Sequence, residues 1–236
     1  MSHVSRRDAA LRSPPSTAPR FRGWAASTVF VVAWLGACAS TPDPILIALP
    51  PAARGAATAS EAAASQPDPP TAGVLLVRRL SIPEYMVSRR VRYAVDTARL
   101  AEWPDTYWAE RIEVGMGREL VAALREALPG WRVCDASCGD SLPDLTLKVE
   151  LQRLDILRSE GRLVAKAQTQ LSLSKPGSLA TNPLPATSHD FTQPLPADTA
   201  QGQARAMTDL LRSLANACAT AVSRAHALAP ESRTTP

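Results

Sequence analysis

Two stretches of this chain alternate so regularly between apolar and polar side chains that they leave little choice of conformation. Asp144-Leu-Thr-Leu-Lys-Val-Glu-Leu151 and Leu163-Val-Ala-Lys-Ala-Gln-Thr-Gln-Leu-Ser-Leu173 place aliphatic residues at every second position except Thr169. A repeat of two is the signature of a strand with one face buried and one face wet. Ser159-Glu160-Gly161 between them reads as a turn, so the two runs are expected to form a long antiparallel hairpin. One apolar face of such a hairpin must be covered, and the covering layer is sought elsewhere in the chain.

Two segments carry the helical repeat that could supply it. Asp105 reads as a helix N-cap, and Trp108, Ile112, Met116, Leu120, Ala123, Leu124 and Ala127 recur every three or four residues up to Pro129-Gly130. A second helix is expected from about Asp198 to Ala227, with Ala206, Leu210, Leu214, Cys218 and Val222 on its apolar face, covering the sheet or another subunit. Further strands are read in Gly73–Leu80, stopped by Ile82-Pro83, in Arg90–Val95, continued as a hairpin by Leu100 to Trp103, and more weakly around Thr187 to Thr192. The expected fold is α+β: an antiparallel-rich β-sheet with two main helices packed on it, one domain spanning 73–228, followed by a disordered tail over 229–236.

The N-terminus does not belong to that domain. Arg6, Arg7, Arg12, Arg20 and Arg22 precede Trp24–Ala37, an uncharged and mostly apolar run that is short against the roughly 20 residues a spanning helix needs. Basic region, apolar run and then Leu35-Gly36-Ala37-Cys38 form a lipoprotein signal peptide over 1–37 ending in a lipobox. The thiol of Cys38 is the expected site of acylation, and acyl chains bind a membrane at about 0.8 kcal/mol per buried methylene without any transmembrane helix. Residue 39 is Ala and not the Asp that retains lipoproteins in the inner membrane of enteric-type bacteria, so an outer-membrane anchor on the periplasmic face is expected. Residues 38–72 then read as the lipidated N-terminus, a candidate strand at Ile45–Leu49 that joins the sheet, and an Ala/Pro-rich tether or long loop from Pro50 to Thr71. A coil of about 20 residues spans roughly 25 Å, which would give the domain reach above the membrane.

Charge narrows the partners. The chain carries 26 basic and 22 acidic residues, but five of the former and only one of the latter lie in the leader, so the mature protein is neutral. A phosphate-binding surface needs clustered Lys and Arg in excess, and nucleic acid is not an expected partner.

Several short segments resemble the PqiC-type auxiliary lipoproteins of MCE-linked ABC transport systems. Ile82-Pro83-Glu84-Tyr85-Met86 is similar to that family's "LPxYL" segment, with Arg89 or Arg90 at its usual polar positions before the next strand. Trp108-Ala109-Glu110 resembles its "WAE" at the start of the first helix, and Leu49-Pro50 its opening "YxLP". The chain departs from the pattern at Tyr107, Arg111 and Val87-Ser88. The resemblance implies a non-catalytic subunit that docks on an MCE-domain protein, helps carry phospholipid between membranes and forms a ring or other homo-oligomer. Pro83, Tyr85, Arg89, Arg90 and Trp108 are then its candidate partner-binding residues. The alternative is an assembly or structural lipoprotein, LptE-like or TolB-domain-like, that stabilises an outer-membrane partner.

Other reactive side chains fit structural roles. Cys134-Asp-Ala-Ser-Cys138 in an oxidising compartment reads as a short disulfide loop, since a redox pair has two residues between its thiols and here there are three. Cys218 reads as a small buried hydrophobe. His189 and His226 are distant in sequence, so no metal site and no cofactor are expected. Trp103, Tyr107 and Trp108 read as core and capping residues before a lipid or glycan platform. Arg78, Arg79, Arg89, Arg90 and Arg92 read as a solvated sheet face or as contacts to headgroups or an acidic partner. No nucleophile elbow or phosphate loop is present, and catalysis is not expected.

Overall fold

The computed structural model describes residues 43–52, 72–174 and 181–228. Cys38, residues 1–37 read as a signal peptide, most of the Ala/Pro-rich segment and the C-terminal tail lie outside these residues.

The hairpin is the spine of the molecule. Strand β6 (Leu145–Leu157) pairs antiparallel with β7 (Arg162–Ser174), and Gly161, at φ 62°, takes the left-handed conformation that closes the turn. Leu145, Leu147, Val149, Leu151, Leu154 and Ile156 of β6 are buried, as are Leu163, Ala165 and Ala167 of β7. The alternation skips one residue between Leu151 and Arg153, where a register shift marks a bulge.

Each edge of the spine carries two partners, one at either end. On the β6 side, β2 (Gly73–Val77) pairs parallel with the N-terminal part, and β3 (Arg90–Ala94) joins at Leu157. Beyond β2 lies β5 (Trp131–Asp135), parallel to it; beyond β3 lies β4 (Leu100–Trp108), antiparallel, and then β1 (Ile45–Ile47), parallel to β4. On the β7 side, β8 (Thr181–Pro183) and β9 (Thr187–Pro194) pair antiparallel with opposite ends. The sheet is therefore mixed, with its longest ladder antiparallel. The parallel pairs are β2–β6, β3–β6, β2–β5 and β1–β4.

Two helices cover one face. Helix α1 (Ile112–Ala127) packs on β5 and on helix α2 (Ala200–Leu228), and α2 packs on β7 and β9. Ala206, Leu210, Leu214, Cys218 and Val222 of α2 are all buried, as the repeat predicts. Thr199 caps α2 by accepting the Gly202 N–H at 3.0 Å, and any side chain at Gly202 would collide with the Ala197 carbonyl. The opposite face of the spine stays polar, with Lys148, Gln152, Lys166 and Gln168 among its residues.

The start of α1 differs from the sequence expectation. Asp105 is not an N-cap: it lies inside β4 at φ 45°, and α1 begins at Ile112 with Arg111 before it and no side-chain cap. Arg90 to Arg92 of β3 spans the same length as Glu102 to Tyr107 of β4, so Trp103–Thr106 bulges out of the ladder. An Asp tolerates the left-handed bend at such a bulge, by the same short polar side chain that suits it to caps.

Candidate functional site

Three features of the described residues could carry function: the segment that enters the domain from the N-terminus, the "LPxYL"-like segment, and a groove beside α1.

The N-terminal segment is sewn into the fold. Ile47 and Leu49 are buried, and the Ala109 N–H donates to the Ile47 carbonyl at 2.7 Å, extending the pairing beyond β1. The segment then crosses both helices. Thr208 Oγ1 donates to the Pro50 carbonyl at 3.0 Å, Arg212 Nε donates to the Ala52 carbonyl at 3.0 Å, and the fully buried Ala52 N–H donates to Glu119 Oε2 at 2.8 Å. Glu119 is itself buried and accepts from Arg118 through its other oxygen. On the far side of the Ala/Pro-rich segment, the Ala72 N–H donates to the Gly130 carbonyl at 2.7 Å and β2 begins. Of the two readings of the Ala/Pro-rich segment, tether and long loop, these two held ends fit the loop. The Ala/Pro-rich segment joins two points of the same fold, whereas only residues 39–44 separate Cys38 from β1.

The Ile82–Met86 segment fills the edge of β6 between β2 and β3. Ser81 donates to the Val149 carbonyl and accepts from Leu151, and a short 3-10 turn follows at Glu84–Met86. Tyr85 closes the gap: its hydroxyl donates to Asp155 Oδ1 at 2.9 Å and accepts the Leu154 N–H at 3.0 Å. Burial first, then the Asp155 carboxylate, pushes the phenol up to about 12, against a lowering contribution from the Leu154 bond. Arg92 reaches back to the Tyr85 carbonyl at 3.1 Å and also pairs with Glu102 at 3.2 Å.

These contacts sort the sequence candidates. Pro83 and Tyr85 are half-buried in the sheet edge, and Arg89 is exposed. Arg90 is exposed, lies 3.5 Å from Glu102 and stacks over Tyr107 at 5.1 Å. Trp108 is 2% exposed and packs in the core, so it offers no surface to a partner. Its place at the end of β4 turns it under the helices, a position that the helical reading had assigned to the first turn of α1. Cys134 and Cys138 are joined as a disulfide, their Cα atoms 5.4 Å apart. Cys218 is a buried free thiol, and burial pushes its pKa up to about 12. Among the described residues no helix is long and apolar enough to cross a membrane.

The groove was not legible in the sequence. A cavity of about 610 Å³ opens between the end of β2 and α1, with Val77, Leu80, Leu120 and Val121 in its walls and Val114 at its mouth. Arg78 and Arg79 border it and are exposed. Of the other charged groups there, Arg118 is held by Glu110 and Glu119, and Glu113 by Arg111. The mouth therefore presents two uncommitted guanidinium groups against the Asp135 carboxylate. Such a rim over an apolar floor suits an apolar segment that carries a negative group.

The fold defines a two-layer sheet-and-helix domain of a kind already solved. One crystal structure of an uncharacterized protein is 17% identical, with 76% of this chain and 99% of that chain covered at a TM-score of 0.56. A protein from Xanthomonas campestris of the DUF330 family is 14% identical, with 75% and 90% covered at 0.50. No curated protein matches the chain in sequence. The model of the family described as ABC-type transport auxiliary lipoprotein component matches residues 57–219, and the chain belongs to that family.

Proposed function

We propose that this lipoprotein is the outer-membrane-anchored, periplasmic docking subunit of an MCE-type ABC system that moves phospholipid, and that it acts by position and not by catalysis. Membership in a family of transport auxiliaries supports the first part, and Ala39 after the lipobox supports the choice of membrane. The observation that carries the positional mechanism is the clamped N-terminal segment. With β1 locked into the sheet, residues 39–44 are the whole spacer between the acylated cysteine and the domain, a stretch of at most about 25 Å from Cys38 to Ile45. The domain is then a platform held against its membrane, ready for a partner that comes to it.

The groove beside Arg78 and Arg79 is the docking face assigned to that partner, an apolar segment of the MCE protein flanked by a carboxylate. Charge complementarity argues for it, as does the continuity of the apolar floor with the core. Affinity purification of a tagged MCE subunit from the same operon, after mild crosslinking, should recover the wild-type lipoprotein and lose it when Arg78→Glu and Arg79→Glu are combined. Failure to recover the wild type would overturn the partnership. Retention of the double variant would overturn the groove alone.

A further inference from the structure

We propose that one end of the sheet is the face that rests on the phospholipid surface: the end made by the β3–β4 turn, the β6–β7 turn and the start of β1. The inference rests on the reading of Cys38 as the lipidated residue.

Chain direction selects this end. β1 runs parallel to β4, with Ile45 beside Thr106, so the chain followed backwards from Ile45 heads toward the beginning of β4. The bulge in β4 brings Ile45 nearer that beginning than its residue number suggests, because Tyr107 and Glu102 lie only as far apart as Arg90 and Arg92. Ala94 pairs with both Leu100 and Leu157, which sets the β3–β4 and β6–β7 turns side by side. An acyl anchor at most about 25 Å of chain from Ile45 must hold this end close to the bilayer.

The surface chemistry agrees with the direction. Among the described residues, seven large apolar side chains are exposed, and four of them lie here: Ile45 (50%), Leu46 (61%), Val95 (43%) and Leu100 (42%). Single exposed apolar residues are ordinary, but a group of them beside a lipid anchor is a surface with a use. The guanidinium groups of the same end are already neutralised. Arg99 pairs with Asp96 at 2.6 Å, Arg158 with Asp198 at 2.6 Å, and Arg162 with Glu160. Arg158 also lies over Trp103 at 3.9 Å. A patch of apolar side chains among balanced charges fits the boundary of a bilayer of zwitterionic headgroups, with no call for anionic lipid.

The test uses the lipidated protein on vesicles of phosphatidylcholine and phosphatidylethanolamine whose acyl chains carry a nitroxide quencher. With Cys38 acylated, Cys134 and Cys138 bonded and Cys218 buried, a new cysteine is the reactive thiol for a fluorophore. A label at Thr97→Cys, in the β3–β4 turn, is expected to be quenched several-fold more than one at Asn182→Cys, in β8 at the other end of β7. Combining Val95→Asp with Leu100→Asp should remove that excess while the protein still pellets with the vesicles. Equal quenching at the two sites, or stronger quenching at 182, on protein that pellets would overturn the orientation. A large rise in quenching at 97 when phosphatidylglycerol is added would overturn the neutral, apolar character of the face. Pelleting of a Cys38→Ala variant that also carries Val95→Asp and Leu100→Asp would instead refute the anchor, which separates the two failures.

Discussion

Two short segments of this molecule are laid into the sheet in opposite ways. The Ile82–Met86 stretch is held from below: it sits along β6, and one of its own side chains, Tyr85, reaches down to Asp155 and to the Leu154 N–H. The strap over residues 45–52 is held from above. Beyond β1 its backbone groups are gripped by side chains of the helices, Glu119 from α1 and Thr208 and Arg212 from α2. A segment that brings its own anchor announces itself in the sequence, as a tyrosine after a proline. A segment held by others does not, since Pro50-Pro51-Ala52 contains nothing that predicts a carboxylate nearly seventy positions away.

The contrast is most sharply broken at Glu119. Replacing it with Ala leaves the buried Ala52 N–H without an acceptor, and such a loss costs about 1–3 kcal/mol, with the upper part of that range expected for a charge-assisted bond. Chemical denaturation should register this fall, and limited proteolysis should begin to cut near residue 52. An unchanged denaturation midpoint would mean that the strap is not held by its acceptor.

Tyr85→Phe tests the other segment and should cost less, about 1–2 kcal/mol, because one small hydroxyl is lost and Asp155 keeps Arg153 as a partner. This variant has a pH signature. The folded-state pKa is raised from the ordinary 10.0 to about 12, so the stability it contributes is fully present below pH 10 and is lost as pH climbs toward 12. The phenylalanine variant should therefore show a flatter alkaline limb in that window, and equal limbs in the two proteins would refute the buried phenol.

Smaller effects refine the comparison. Arg212→Ala removes the donor to the Ala52 carbonyl and is expected to cost about 1 kcal/mol, with faster amide exchange over residues 49–52. Arg89→Ala, at an exposed position, should change stability by less than about 0.5 kcal/mol. If it nevertheless weakened partner recovery, the docking surface would have to extend from the groove to β3.

How much of this was readable without a structure depends on where the determinant of each feature lies. The β6–β7 hairpin and the apolar face of α2 are patterns within single segments, and their residues are buried as the repeats predict. The start of α1 was misread because Asp105 serves a strand bulge with the same side-chain property that makes Asp a good cap. The groove went unseen because Arg78 and Arg79 follow β2 while its walls belong also to α1, which no local pattern relates.

The sequence by itself determined the spine of the sheet and the covering helix, because each follows from periodicity over neighbouring residues. Only the tertiary structure decided that β1 lies beside β4 and that both ends of the Ala/Pro-rich segment are held by the fold. The physical reason is that a three-residue strand has too little pattern of its own. Its place is set by the backbone of β4 and by the polar side chains of two distant helices.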